Sequence, residues 1–239
     1  MKPRLEIVED PARTCAAVLL DAVAAGGHVV LTGGSTSKAA YEELARELNA
    51  RQVDLGATTF WFGDERGVPP DDERSNFKMV KESLLDRLIG PVSPEVHRMK
   101  GELGPGQGAA DYARQLGDAG SPDFDLLLLG IGPDGHMASL FPDQDSLREL
   151  SHPVVGVPEA GLEPFVPRIS LTISRLAAAR HVVFLVSGAG KADAVAAAFG
   201  PGAEPNPHVP ASLLPPLARD VTVLLDADAA AGLAPAREA

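Results

Sequence analysis

Five short runs rich in Val, Leu and Phe, most of them separated by segments of helical spacing, constrain the fold more than any other feature. They are His28–Leu31, Thr58–Phe62, Asp125–Leu129, His181–Val186 and Val221–Leu225. Continuous apolar runs of this length suit strands buried on both faces. The intervening segments Ser37–Leu48, Phe77–Leu88, Gly106–Leu116 and Ala192–Phe199 carry apolar residues at helical spacing. Strand and helix in alternation predict βαβ units and a mainly parallel sheet in an α/β fold. Pro142–Thr172 is rich in Pro and Gly, with Arg168–Thr172 alternating as one further strand. Pro201–Pro216 reads as a loop with one short helix at Ala211–Leu214, and the Ala-rich end, Ala229–Ala239, is expected to fray. No repeat and no linker divides the chain, so residues 1–239 are expected to form a single α/β domain.

The formal net charge of −12 provides no basic footprint for nucleic acid. It also sets a condition: an anionic ligand would need a local cluster of cations and backbone N–H groups. The single cysteine, Cys15, cannot form an intrachain disulfide and reads as a buried thiol on a helix. There is no basic start followed by an apolar run and no apolar stretch of membrane length. The expectation is a cytoplasmic protein with no membrane partner.

In open parallel sheets, ligands bind beyond the carboxyl ends of the strands. The first such loop is Thr32-Gly33-Gly34-Ser35-Thr36-Ser37, which opens a helix. Its glycines permit close backbone approach, its free N–H groups favour an anion, and its hydroxyls can donate to phosphate. The same residues also suit a tight turn with a Ser or Thr N-cap. The second loop brings Asp64-Glu65-Arg66 and, further on, Arg74-Ser75-Asn76. These read either as site residues or as a solvated charged loop in which Asn76 caps a helix.

The third loop, Gly130-Ile131-Gly132-Pro133-Asp134-Gly135-His136, contains a formal G-x-G-x-x-G. A dinucleotide site is rejected, because Asp134 would sit where the pyrophosphate must lie and no long helix follows. The glycines instead expose Asp134 and His136 at the sheet edge. The fourth loop, Ser187-Gly188-Ala189-Gly190-Lys191, puts a lysine at a helix start, against the macrodipole. Leu185 and Ala192 replace residues that a P-loop requires. The scattered histidines lack metal-ligand spacing, and Gly33–Ser37 lacks the final glycine of a serine-nucleophile elbow.

Taken in order, Gly33–Thr36, Asp64–Arg66 with Arg74–Asn76, the eleven residues Gly132–Pro142, Arg168–Thr172 and Gly188–Lys191 resemble the 6-phosphogluconolactonases. The resemblance implies a Rossmann-like three-layer sandwich of the sugar-phosphate isomerase type. It implies hydrolysis of 6-phospho-D-glucono-1,5-lactone without cofactor or metal. His136 would activate water, Asp134 would orient or polarise its imidazole, Arg66 would stabilise the oxyanion, and Asp64 would hold sugar hydroxyls or position Arg66. Gly33, Gly34, Ser35, Thr36 and Lys191, with Arg168 or Arg74, would bind the phosphate. Met137 departs from the family's usual threonine. The related glucosamine-6-phosphate deaminases carry a carboxylate where this chain has Phe141 and a tyrosine where it has Arg66. A non-catalytic sugar-phosphate sensor is the alternative from another class; such domains are usually joined to a DNA-binding segment.

Overall fold

A computed structural model describes residues 2–90 and 92–233. Among the described residues, ten strands and six α-helices follow one another. The five apolar runs become β2 (Gly27–Leu31), β3 (Thr58–Phe62), β6 (Leu126–Leu129), β9 (His181–Val186) and β10 (Val221–Leu225). With β1 (Arg4–Ile7) and β5 (Glu95–Val96) they form a seven-stranded sheet in the order β1-β10-β9-β6-β2-β3-β5. Every neighbouring pair in it is parallel. From β2 the chain winds outward to β3 and β5, then returns to β6 on the other side of β2 and winds outward through β9 and β10. The strand order therefore reverses between β2 and β6, and ligands of open α/β sheets bind at such a switch point.

The helices are α1 (Pro11–Ala24), α2 (Ser35–Arg51), α3 (Asn76–Ser83), α4 (Gly104–Asp118), α5 (Ile173–Ala177) and α6 (Ala192–Phe199). Side chains from α1, α2, α4 and α6 join those of the central strands in one buried apolar cluster. Cys15 on α1 lies in it, and burial pushes its thiol up to about 12. The helix expected over Phe77–Leu88 stops earlier. The Ser83 hydroxyl donates to the Met79 carbonyl, Leu84 leaves the helical region at φ −127°, and a 3-10 turn follows over Leu85–Arg87.

Arg168–Leu171 is a strand (β8), as its alternation predicts, but not in the main sheet. It is the middle of a separate antiparallel sheet, between β4 (Asp64–Arg66) and β7 (Val154–Val157). The Ala-rich end does not fray as far as residue 233. Ala229 and Ala230 are buried, the Asp226 carboxylate accepts the Ala229 N–H, and Ala231–Leu233 form a 3-10 turn. The rest of that expectation, residues 234–239, lies outside the described residues. Among those described, no helix is long and apolar enough to cross a membrane.

Candidate active site

The loops after β2, β3, β6 and β9 converge on one cleft of about 270 Å³. That volume lies at the small end for ligand pockets and suits a small ligand better than a dinucleotide.

One wall is the start of α2. Its N-cap is Gly34, at φ +111°, and no side chain caps the helix. A Ser or Thr cap, the structural alternative for this loop, is absent, so the first-turn N–H groups lack a side-chain acceptor and favour an anion. Ser35 and Thr36 line the cleft beside them. Tyr41, nearly two turns into α2, fixes the approach to this loop. Its buried hydroxyl accepts the Thr32 N–H and donates to the Thr32 carbonyl, each at 2.9 Å. Leaving a buried donor and acceptor unpaired costs about 1–3 kcal/mol each. Tyr41→Phe is therefore expected to lower stability by about 1–3 kcal/mol or more in denaturant unfolding.

The loop after β6 brings Asp134 and His136 together. His136 Nδ1 lies 2.6 Å from Asp134 Oδ1, which also accepts the His136 N–H at 3.2 Å. Burial pushes the Asp134 carboxyl up, but the hydrogen bond and charge of His136 outweigh it and leave the group below its ordinary value. A carboxylate oxygen accepting from Nδ1–H leaves Nε2 as the free nitrogen, with a fixed tautomer. The loop turns on itself instead of entering a helix, with Leu140 N–H donating to the Met137 carbonyl. Met137 is fully buried in the core, so its departure from threonine places a thioether away from the cleft. The Phe141 ring packs on the imidazole, with centroids 4.8 Å apart.

Three cations line the cleft. Lys191 closes a 3-10 turn over Ala189–Lys191 ahead of α6, and its ammonium has no partner among the described residues. Burial lowers its pKa, and the charge of Asp134 opposes that shift. Arg66 and Arg168 face one another in register on β4 and β8. Like charges so placed repel, and burial together with Arg66 brings Arg168 down to about 10. Arg66 donates to the Arg74 carbonyl at 2.8 Å, while its Nε is buried with no acceptor. Arg168 spends its donors on the carbonyls of Leu162, Pro164 and Val166, which hold the 162–166 segment along the cleft. The local cluster of cations and N–H groups that an anionic ligand would need in a chain of net charge −12 is thus present in the cleft.

Two expected roles change. Arg74 does not line the cleft. Its guanidinium is gripped by Asp72, two residues earlier, at 2.7 and 2.8 Å, and it serves the site through its backbone carbonyl. Asp64 lines the cleft but makes no bond to Arg66. Its carboxylate accepts from Ser139 Oγ at 2.6 Å and from Asn76 Nδ2 at 3.2 Å. Asn76 is not the N-cap of α3; Ser75 is, and the Asn76 side chain turns back to line the cleft. Glu65 instead accepts the Asn76 and Phe77 N–H groups at the helix start. Burial pushes its carboxyl up against the pull of these bonds.

Residues 4–223 match the family described as glucosamine-6-phosphate isomerases/6-phosphogluconolactonase. The 6-phosphogluconolactonase of Mycobacterium tuberculosis is 41% identical over 225 residues, 89% of this chain and 88% of that protein. Its counterpart in Streptomyces coelicolor is 38% identical over 78% of this chain and 76% of its own length. The crystal structure of 6-phosphogluconolactonase from Leishmania guyanensis superimposes with a TM-score of 0.82 at 30% identity, covering 98% of this chain and all of the other. A monomeric glucosamine-6-phosphate deaminase shares the fold, with a TM-score of 0.80 at 23% identity. The chain belongs to the glucosamine-6-phosphate isomerase/6-phosphogluconolactonase family.

Proposed function

We propose that the chain hydrolyses 6-phospho-D-glucono-1,5-lactone to 6-phosphogluconate, as a cytoplasmic enzyme of sugar phosphate metabolism. The observation that carries this reading is the His136–Asp134 pair at 2.6 Å, set in a cleft with an uncapped helix start, Lys191 and Arg66. The Mycobacterium tuberculosis and Streptomyces coelicolor relatives, which share most of its length, are 6-phosphogluconolactonases. Phe141, against the imidazole, supplies an apolar wall where amine chemistry would call for a carboxylate.

The phosphate binds at the start of α2, with Ser35, Thr36 and Lys191 as donors. His136 Nε2 takes a proton from water as the water oxygen attacks the lactone carbonyl. Asp134 holds the tautomer and stabilises the imidazolium that forms. The negative charge building on the carbonyl oxygen is met by Arg66, whose buried Nε lacks any other acceptor. Collapse of the tetrahedral intermediate breaks the bond to the ring oxygen, which takes the proton back from His136. The new carboxylic acid then ionises, releasing one proton per turnover.

The direct test is proton release from freshly made 6-phosphogluconolactone against its spontaneous opening. Acceleration is expected; folded protein that gives none, or that instead frees ammonia from glucosamine 6-phosphate, would overturn the reading. Phosphate binding is largely shared by ground and transition states. Lys191→Ala is therefore expected to raise KM on the order of tenfold or more, with a smaller change in kcat, measured by initial rates.

A further inference from the structure

Two residues beyond the proposed base, the chain does something unusual. Ala138 adopts φ +48°, the left-handed region that non-glycine residues avoid. Such a conformation persists only where its surroundings over-determine it. Ala138 itself lines the cleft, so the turn it makes sets how the loop faces the substrate. On one side of it Met137 is locked into the core, fully buried. On the other, Ser139 is also fully buried, is not part of the cleft wall, and holds two bonds. Its hydroxyl donates to Asp64 Oδ2 at 2.6 Å, and its N–H donates to Ser170 Oγ at 3.3 Å.

Asp64 is a rigid post for this attachment. It is 5% exposed, and Asn76 Nδ2 donates both to its carbonyl, at 3.0 Å, and to its Oδ1, at 3.2 Å. Asn76 in turn abuts the loop before α2, where a Cβ on Gly33 would fall 2.1 Å from Asn76 Oδ1. One buried polar chain, Asn76–Asp64–Ser139, closely packed at its Asn76 end against Gly33, therefore runs from the phosphate-side loop to the loop that carries His136. A hydroxyl bound to an ionised carboxylate makes a short, strong bond, and the 2.6 Å contact is of that length.

We infer that Ser139 is a positioning residue: by bonding Asp64 it holds the strained Ala138 turn, and with it His136, in register with the phosphate-side loop. The inference rests on the reading of His136 as the base. Ser139 touches no substrate, so its loss should act on chemistry and spare binding.

The test is Ser139→Ala, with kcat and KM for the lactone, the Kd for 6-phosphogluconate, and the His136 imidazole resonances followed by nitrogen-edited NMR. The expected result is a kcat lowered on the order of ten- to a hundredfold, since small misplacements of a catalytic group cost that much. The Kd should stay within about twofold, and the His136 resonances should shift. Wild-type kcat, or unmoved His136 resonances, would overturn the inference, as would a loss of binding equal to the loss of rate. Should Ser139→Ala fail to fold, the same readouts apply to Ser139→Ala/Ala138→Gly, because glycine accepts a positive φ without strain. If the wild type opens no lactone, the proposed function falls. The His136 resonances then still decide whether Ser139 holds the loop.

Discussion

His136→Ala is expected to lower lactone turnover by about 10²–10⁴-fold, the usual cost of removing a general base. The side chain removed is the one proposed both to take a proton from water and to return it to the ring oxygen. Its Nδ1 is committed to Asp134 at 2.6 Å, so the truncation also strips that carboxylate of its imidazole partner. The groups proposed to hold phosphate, at the start of α2 and at Lys191, belong to other loops and are untouched. The Kd for 6-phosphogluconate should consequently change by no more than a few-fold. Rates read by proton release, beside calorimetric binding of the product, separate the two effects. Near-full turnover in the variant would remove His136 from the base role; a large loss of binding with turnover intact would make it a substrate anchor.

The main sheet was legible because its inner strands are buried on both faces and so read as unbroken apolar runs, as in Leu126–Leu129. The strands that sequence patterning missed lack that signal. Arg4–Ile7 is an edge strand exposed along its whole length, and Glu95–Val96 spans two residues. The second sheet was half visible, since the alternation of Arg168–Leu171 gives a strand but not its neighbours.

The site divides along similar lines. Asp134 and His136 stand two residues apart in a glycine-rich loop, so their pairing is local and can be read from the chain. The role of Arg74 is not local to its motif: nothing in Arg-Ser-Asn shows that Asp72 takes the guanidinium and leaves the backbone carbonyl to hold Arg66. Ser139 and Asp64 are 75 residues apart, and Asn76 reads as a helix cap until its amide is seen turned toward Asp64. Such contacts join a loop that leaves the main sheet to a strand of the second sheet, across a sequence separation that no periodicity encodes.

Gly132→Ala is expected to cost nearly as much turnover as His136→Ala, on the order of a hundredfold or more, without removing any catalytic group. The backbone at Gly132 does not occupy the left-handed region, so the strain of a positive φ does not arise there. The effect is steric and falls on one place. A Cβ would lie 2.0 Å from His136 Nδ1, 2.2 Å from its Cε1 and 2.4 Å from Asp134 Oδ1. The loop folds the histidine back over the glycine through Gly132 N–H to the His136 carbonyl at 2.9 Å and Gly135 N–H to the Gly132 carbonyl at 3.0 Å. The imidazole has little room to retreat, because Phe141 packs on it and that ring is itself close against Gly161. The methyl must therefore part the histidine from its carboxylate or push both out of line with the substrate. Gly117→Ala, on the exposed side of α4 with nothing near its Cβ, is the matched control and should leave turnover unchanged. With product binding retained and the fold intact, loss of rate in Gly132→Ala alone would locate the chemistry in the His136–Asp134 geometry. Wild-type rate in both variants would mean that the reaction does not depend on that geometry, and the base would have to be sought among the other groups of the cleft.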